Sequence, residues 1–300
     1  MDGRMWRAAV SALALVVGPE LVHAQVRAGG EFRVNTYTGG YQDVRVNAAA
    51  AAADGRFVVV WESWAPQDGS GYTVLGQRFE PSGARIGNEF IVNTYTTGYQ
   101  YFAAVGASPR GRFVVSWQSY AQDTSREGVF GQRYQRDGVR VGAEFRANTY
   151  TTHNQSRASV ALDASGNFVM AWRSGSATQP QDGDQTGVFA QRFSAFSGLQ
   201  GAEFRVNTYT TSYQDRPDVA RAPDGSFVVV WQSYDQEAPF AGFGIYGQRY
   251  DANGVALGGE FRVNTYTTND QYWPSVAVDA SGNFVVAWTE YAVRDGSQTS

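Results

Sequence analysis

One nine-residue phrase, written five times, constrains this chain more than any other feature. "EFRVNTYTG" begins at Glu31, "EFIVNTYTT" at Glu89, "EFRANTYTT" at Glu144, and "EFRVNTYTT" at both Glu203 and Glu260. The copies are about 57 residues apart. A period of that order belongs to solenoids, propellers and arrays, whose single units cannot bury their own apolar faces. Two further phrases repeat in phase. "FVVVW" occupies 57–61 and 227–231, with variants at 113–117, 168–172 and 284–288. "GQR" plus an aromatic residue stands at 76–79, 131–134 and 247–250, and "AQRF" at 190–193.

Each unit reads as four short strands. In the unit after Tyr213, the first covers 216–222 and ends in a "PDGS" turn. In the second, 227–234, Phe227, Val229 and Trp231 alternate with Val228 and Val230. Both faces are apolar, so this strand must be covered above and below. The third, 245–250, closes on "DANG", whose Asn-Gly pair favours a hairpin. The fourth, 261–264, alternates Phe261 and Val263 with Arg262 and Asn264, as a half-exposed strand does. Stacking such sheets around an axis buries both faces of the second strand. The expected fold is therefore all-β, a β-propeller of four-stranded blades, with the repeated Phe and Trp as inter-blade core.

The segment "VAVDASGNFVVAW" at 276–288 resembles the first two strands of NHL-type propeller blades, and "YGQRYDANGVALGGEF" at 246–261 resembles their third strand and hairpin. At the scale of the whole unit, the pattern is similar to tandem repeats of large secreted bacterial surface proteins, of hemolysin-type or adhesin-like description. The glycine-aspartate nonapeptides of calcium-binding β-rolls are absent, so that calcium chemistry is not implied.

The copy numbers bear on closure. The first "GGEFRVNTYT", 29–38, precedes any complete unit, and the last unit reaches Ser300 before any "GQR" strand. The expectation is five blades, the N-terminal strand completing the last; the alternative is a truncated six- or seven-bladed ring. The units fall at about 41–98, 99–152, 153–211, 212–268 and a partial 269–300 joined by 29–40. They form one domain over 25–300.

Residues 1–24 read as a secretory signal peptide: Arg4 and Arg7, an apolar run over 8–18, and the small-x-small site Val22-His23-Ala24. That run is too short for a transmembrane helix. The expected location is secreted, periplasmic or at a bacterial cell surface, without membrane insertion. Cysteine is absent and every basic residue is arginine, which suggests a GC-rich genome. The net charge of −4 is interspersed, so no basic face marks a nucleic-acid partner.

No catalytic motif stands out. Thiol catalysis and multi-histidine zinc sites are excluded, because beyond the leader only His153 remains; it replaces the Gly98 or Ser212 of neighbouring units and reads as a loop residue. Binding residues concentrate on loops over a rigid scaffold. The inter-blade segments present Tyr37, Tyr41, Tyr95, Tyr99, Tyr209 and Tyr213 beside Gln42, Gln100, Gln155, Gln214 and Gln271. Aromatic rings flanked by amides suit glycans. The "NTYT" core itself reads as a local turn former. The motif glutamates are expected to pair with Arg78, Arg133, Arg192 and Arg249 of the third strands, and Asp182 and Asp184 to form a polar turn. Asp43, Asp215, Asp218 and Asp270 break the repeat near the mouth of a central channel, where Tyr101 and Ser156 stand in other units. They could hold a cation such as calcium, or serve as the carboxylates of a glycosidase.

The leading expectation is a secreted, non-enzymatic repeat protein that binds glycans or a cell-surface polymer through blade-top loops, using Tyr41, Gln42, Tyr99, Gln100, Tyr213, Gln214, Asp43, Asp215 and Asp270. The alternatives are a structural repeat module of a larger adhesin and a carbohydrate-active hydrolase working through the channel-mouth aspartates.

Overall fold

The computed structural model describes residues 30–45, 47–64, 68–69, 71–237 and 242–290; the signal-peptide expectation for 1–24 lies outside them. Among the described residues, nineteen strands form five antiparallel sheets. Sheet 1 comprises β1 (Tyr41–Asp43), β2 (Ala49–Ala51), β3 (Phe57–Trp64), β4 (Thr73–Phe79) and β5 (Arg85–Ile91), with β1 and β2 both pairing β3. Sheet 2 is the meander β6 (Gln100–Ala107), β7 (Phe113–Tyr120), β8 (Glu127–Tyr134) and β9 (Arg140–Arg146). Sheet 3 repeats it with β10 (Gln155–Leu162), β11 (Phe168–Gly175), β12 (Thr186–Ser194) and β13 (Gly198–Arg205). Sheet 4 consists of β14 (Gln214–Arg221), β15 (Phe227–Tyr234), β16 (Phe243–Tyr250) and the short β17 (Phe261–Arg262). Sheet 5 has, among the described residues, β18 (Gln271–Val278) and β19 (Phe284–Glu290). Among these residues no helix is long and apolar enough to cross a membrane.

The first strands pack on one another in series, β2 on β6, β6 on β10, β10 on β14 and β14 on β18. They line the axis, and the "FVVVW" strands stand behind them. Four apolar clusters fill the gaps between successive sheets. Phe227, Val229 and Trp231 face sheet 3 while Val228 and Val230 face Val276 of sheet 5. The two-sided pattern is thus resolved by stacking. At the end of the series, among the described residues, both faces of β19 meet solvent: Val285 on one is 65% exposed, and Trp288 on the other is 37% exposed where Trp117, Trp172 and Trp231 are fully buried.

The repeated phrases earn their repetition at the sheet-to-sheet joints. The threonine of each "NTYT" gives its N–H and its hydroxyl to the glutamate of the next copy: Thr36 to Glu89, Thr94 to Glu144, Thr149 to Glu203 and Thr208 to Glu260, all at 2.6–2.9 Å. The other carboxylate oxygen takes a loop amide, Gln122 on Glu144 at 2.5 Å and Gln181 on Glu203 at 2.7 Å; Gln236 does the same for Glu260. This corrects the expected pairing of these glutamates with third-strand arginines. Arg78 and Arg192 instead reach the hairpin of the following sheet, donating to the carbonyls of Arg136 and Ala252. The "GQR" glycine has a steric cause. A Cβ on Gly76 or Gly131 would stand 2.6 Å from the ring of Phe90 or Phe145 in the neighbouring strand.

The N-terminal segment departs from expectation. It forms no strand among the described residues and pairs with no part of sheet 5. Phe32 instead lies 5.4 Å from the ring of Phe79, just as Phe90 lies 5.5 Å from Tyr134 one joint further on. The segment therefore covers sheet 1 as a preceding outer strand would.

Trp231→Ala should cost about 3–5 kcal/mol, the usual range for emptying a fully buried aromatic site. Trp288→Ala should cost much less, because its indole already meets solvent. Denaturant melts of the two variants measure the contrast; equal losses would show that β19 is covered in solution.

Candidate active site

Each crossover from one sheet to the next is organised by a buried asparagine. Asn93 accepts the N–H of Val74 and donates to the carbonyl of Tyr95, and Asn148, Asn207 and Asn264 repeat the arrangement. The glutamine seven residues on completes it. Gln100 and Gln214 are fully buried; their amides donate to Thr97 and Thr211 carbonyls and accept from Asn93 and Asn207. Gln42 donates to Gly39 and Ser63 and accepts the Trp61 indole N–H. These three glutamines shape the crossover from inside. The tyrosines before them stand outward, with Tyr41 77% exposed. Tyr99 packs on Trp64, Tyr72 and Tyr120, and the backbone carbonyl of Tyr213 accepts the N–H of Tyr234.

Past the glutamine, each of β6, β10, β14 and β18 carries a bulge, at 101–104, 156–159, 215–218 and 272–275. Four non-glycine residues there adopt left-handed backbone: Phe102 (φ 53°), Arg157 (57°), Arg216 (52°) and Trp273 (54°). Such conformations cost about 1–3 kcal/mol each and gather at functional sites, and bulges re-aim side chains beside active sites. Here all four residues line one cavity of about 60 Å³ on the axis, together with Arg45 and Asn47 of sheet 1 and Asp218 of sheet 4. The innermost strands of sheets 2 to 5 and the link between β1 and β2 contribute to this wall. A wider depression of about 490 Å³ lies at the outer edge of sheet 1 beside Phe32, Phe79 and Arg85, with no carboxylate in its lining.

The bulges are pinned by the residue that follows the tryptophan of each "FVVVW". Gln118 accepts the N–H of Arg157, Gln232 that of Trp273, and Glu62 that of Ala103, at 3.1–3.2 Å. Sheet 3 has Arg173 in that position, which cannot accept. Asp215 takes over and accepts the N–H of Arg216 at 2.8 Å, while Arg157 and Arg173 approach its oxygens at 2.6 and 3.9 Å.

Asp218 forms the floor. It is buried and accepts from Asn47 of sheet 1 and Ser159 of sheet 3, both at 2.6 Å, and from the N–H groups of Val219 and Val276. Burial pushes its carboxyl up, and those four hydrogen bonds oppose the push. Asp270 lies away from the mouth, in the crossover, where it accepts the N–H of Phe243. Arg45 pairs with Asp43, and Arg157 and Arg173 with Asp215. No group of three or more potential metal ligands occurs among the described residues.

Glu62 lies behind the cavity wall, outside its lining, and reaches it through Arg45. It stands directly across from Asp43 in the β1–β3 ladder, a placement that brings side chains within about 5 Å at Cβ. Arg45 touches both, 2.8 Å from Asp43 and 3.6 Å from Glu62. Glu62 is 1% exposed, and its Oε2 has no hydrogen-bond partner. Burial pushes its carboxyl up to about 7, against the Arg45 charge and the Ala103 N–H and with the help of Asp43. Asp43 is far more open. Two carboxyl groups in contrasting surroundings are the arrangement acid–base chemistry uses.

No family model matches the sequence, and no curated protein does. Solved structures do share its architecture. An α-L-arabinofuranosidase of Fusarium graminearum, of glycoside hydrolase family 93 and complexed with arabinobiose, superposes with a TM-score of 0.54 at 15% identity, over 82% of this chain and 77% of the other. A Penicillium chrysogenum α-L-arabinanase gives 0.52 at 16%, over 82% and 76%. A protein of unknown function from Dyadobacter fermentans gives 0.55 at 12%, over 85% and 77%. The fold is a β-propeller. Its expected reading as a non-enzymatic repeat protein is corrected by these neighbours, since those with a stated activity degrade glycans. The burial of Gln100 and Gln214 also takes two of that reading's expected binding residues out of reach.

Of the residues singled out from the sequence, Asp218 lines the cavity, Asp43 and Asp215 pair with its arginines Arg45 and Arg157 from outside the lining, and Asp270 and the tyrosines stand apart from it. Sequence reasoning missed Glu62, Arg45, Arg157, Arg173, Arg216, Phe102 and Trp273. Their signal was present in the repeats: the residue after each tryptophan reads Glu62, Gln118, Arg173, Gln232 and Thr289, and that two after each glutamine reads Val44, Phe102, Arg157, Arg216 and Trp273.

The raised carboxyl of Glu62 has a stability consequence. Its ordinary value is 4.5. Its protonated form is therefore favoured by folding, and that contribution is complete below about pH 4.5 and lost as pH rises through about 7. Glu62→Gln keeps the acceptor that Gln118 and Gln232 supply elsewhere and does not ionise. Above pH 7 it should be more stable than the parent, by on the order of a few kcal/mol, with the gap closing toward pH 4.5. Parallel curves of melting temperature against pH would contradict this.

Proposed function

We propose that this propeller is a carbohydrate-active hydrolase whose reaction takes place at the channel mouth. The observation that carries the reading is the Asp43–Glu62 cross-strand pair with Arg45 on both carboxylates. The propellers of the Fusarium and Penicillium enzymes support it as a scaffold that carries glycan hydrolysis. The leader-like pattern of 1–24 supports a site of action outside the cytoplasm.

Glycoside hydrolysis needs one carboxyl group to give a proton and one to accept it. Glu62 is the donor. Near neutral pH burial leaves it substantially protonated, and its proton passes to the glycosidic oxygen as the bond to the anomeric carbon breaks. Asp43 takes a proton from the attacking water, whose hydroxyl joins that carbon. Proton exchange with solvent restores both groups. Asp215 is a positioning residue that fixes the Arg216 bulge and holds Arg157.

Reducing-end release from arabinan, galactan, xylan and polygalacturonate tests this. Glu62→Gln and Asp43→Asn should each lower the rate about 10²-fold or more, and the parent rate should fall as pH rises through about 7, where the donor loses its proton. Asp215→Asn should be milder and raise KM. If no polysaccharide is cleaved by the parent, or if Glu62→Gln leaves the rate intact, the reading fails.

A further inference from the structure

The cavity wall carries charge of one sign. Arg45, Arg157 and Arg216 line it, whereas its only lining carboxylate, Asp218, is buried and occupied by four hydrogen bonds. Arg45 and Arg157 are anchored by Asp43 and Asp215. Arg216 is different. Among the described residues it makes no ion pair, and its guanidinium lies 5.3 Å from the centre of the Trp273 ring. Burial lowers its pKa first, and the neighbouring charges of Arg157, Arg173 and Arg45 lower it further, with Asp215 the only opposing influence. A guanidinium crowded by three others gains from an anion that joins them.

Backbone strain points the same way. Arg157 and Arg216 are presented by left-handed bulges, a conformation that disfavours non-glycine side chains. Structural arginines elsewhere in the chain, such as Arg78 and Arg192, reach carbonyl groups from ordinary strand backbone. The strained pair is aimed at a cavity with room for an oxyanion and a few waters and too small for a sugar ring. At the rim stand Trp273, 52% exposed, and Phe102, with Arg45 packed over its ring at 4.8 Å. Aromatic faces of this kind accept the C–H side of a pyranose.

We propose that the glycan this site takes is acidic. Arg216, Arg157 and Arg45 hold the oxyanion of an acidic sugar residue, and the ring stacks on Trp273. Guanidinium forks match such oxyanions in geometry. The carboxylate of a uronic acid and a sulfate ester share this chemistry. The inference rests on the hydrolase reading for its location, but binding alone tests it.

The experiment is calorimetric titration of the Glu62→Gln variant with polygalacturonate, fully methyl-esterified polygalacturonate, dextran sulfate and linear arabinan. Polygalacturonate should bind, esterification should weaken binding about tenfold or more, and raising salt should weaken it further. Arg216→Gln should lose about tenfold while Arg216→Lys recovers part of the loss, with circular dichroism melts confirming that both fold. Preference for dextran sulfate would assign the sulfate ester and also support the proposal. Equal or tighter binding of arabinan or the ester, or of acidic glycan by Arg216→Gln, would overturn it, as would no binding of any acidic glycan. Hydrolysis of neutral arabinan unaffected by Arg216→Gln would overturn it while leaving the hydrolase reading intact. Acidic-glycan binding without cleavage by the parent would do the reverse.

Discussion

The carboxylate of Asp218 is the contact on which the centre of this propeller depends. Four hydrogen bonds converge on it, from Asn47 in sheet 1, Ser159 in sheet 3, Val219 on its own strand and Val276 in sheet 5. A buried carboxylate is costly unless its acceptor sites are filled, and here the donors come from chain segments separated by up to 171 residues. The apolar clusters join each sheet only to its neighbours. Asp218, with the Asn47–Ser159 hydrogen bond beside it, ties non-neighbouring sheets and closes the floor beneath the channel mouth.

Around this centre, the structure divides labour between residues that repeat and residues that do not. The threonine–glutamate clamp, the buried asparagine and the glutamine beside it recur at successive joints with nearly unchanged distances. They set the angle and spacing of the sheets. With the scaffold held by these positions, the two places that face the axis are released from repetition. One is the residue after each tryptophan, the other the left-handed bulge. There Glu62 and Arg173 replace glutamine, and Phe102, Arg157, Arg216 and Trp273 replace one another. Asp215 shows the cost of such freedom: where Arg173 cannot accept the bulge N–H, a carboxylate from the next sheet does.

The strand pattern was legible because each second strand is apolar on both faces, and only stacking satisfies that. The aspartates at 43 and 215 were legible as breaks in the repeat. The pairing of the motif glutamates was not, since a glutamate beside an arginine-bearing strand gives no hint that a threonine one unit earlier offers two donors. Gln100 and Gln214 were misplaced for a related reason. A polar residue in a loop-like phrase reads as exposed, but each is enclosed where an asparagine needs a partner. Arg157 and Arg216 escaped notice because nothing local announces a left-handed arginine.

By itself, the sequence determined the repeat, the strand alternation and the residues that must be core, because those follow from the period of the backbone and from the cost of leaving Phe, Val and Trp in water. Which of the remaining polar residues meet one another was decided only by the tertiary structure. The cavity is assembled from four innermost strands and the β1–β2 link, and its bulge residues lie about one unit apart along the chain. Their proximity comes from the rotation between sheets, and so does the burial that raises the Glu62 carboxyl and the crowding of Arg216 by neighbouring guanidinium groups.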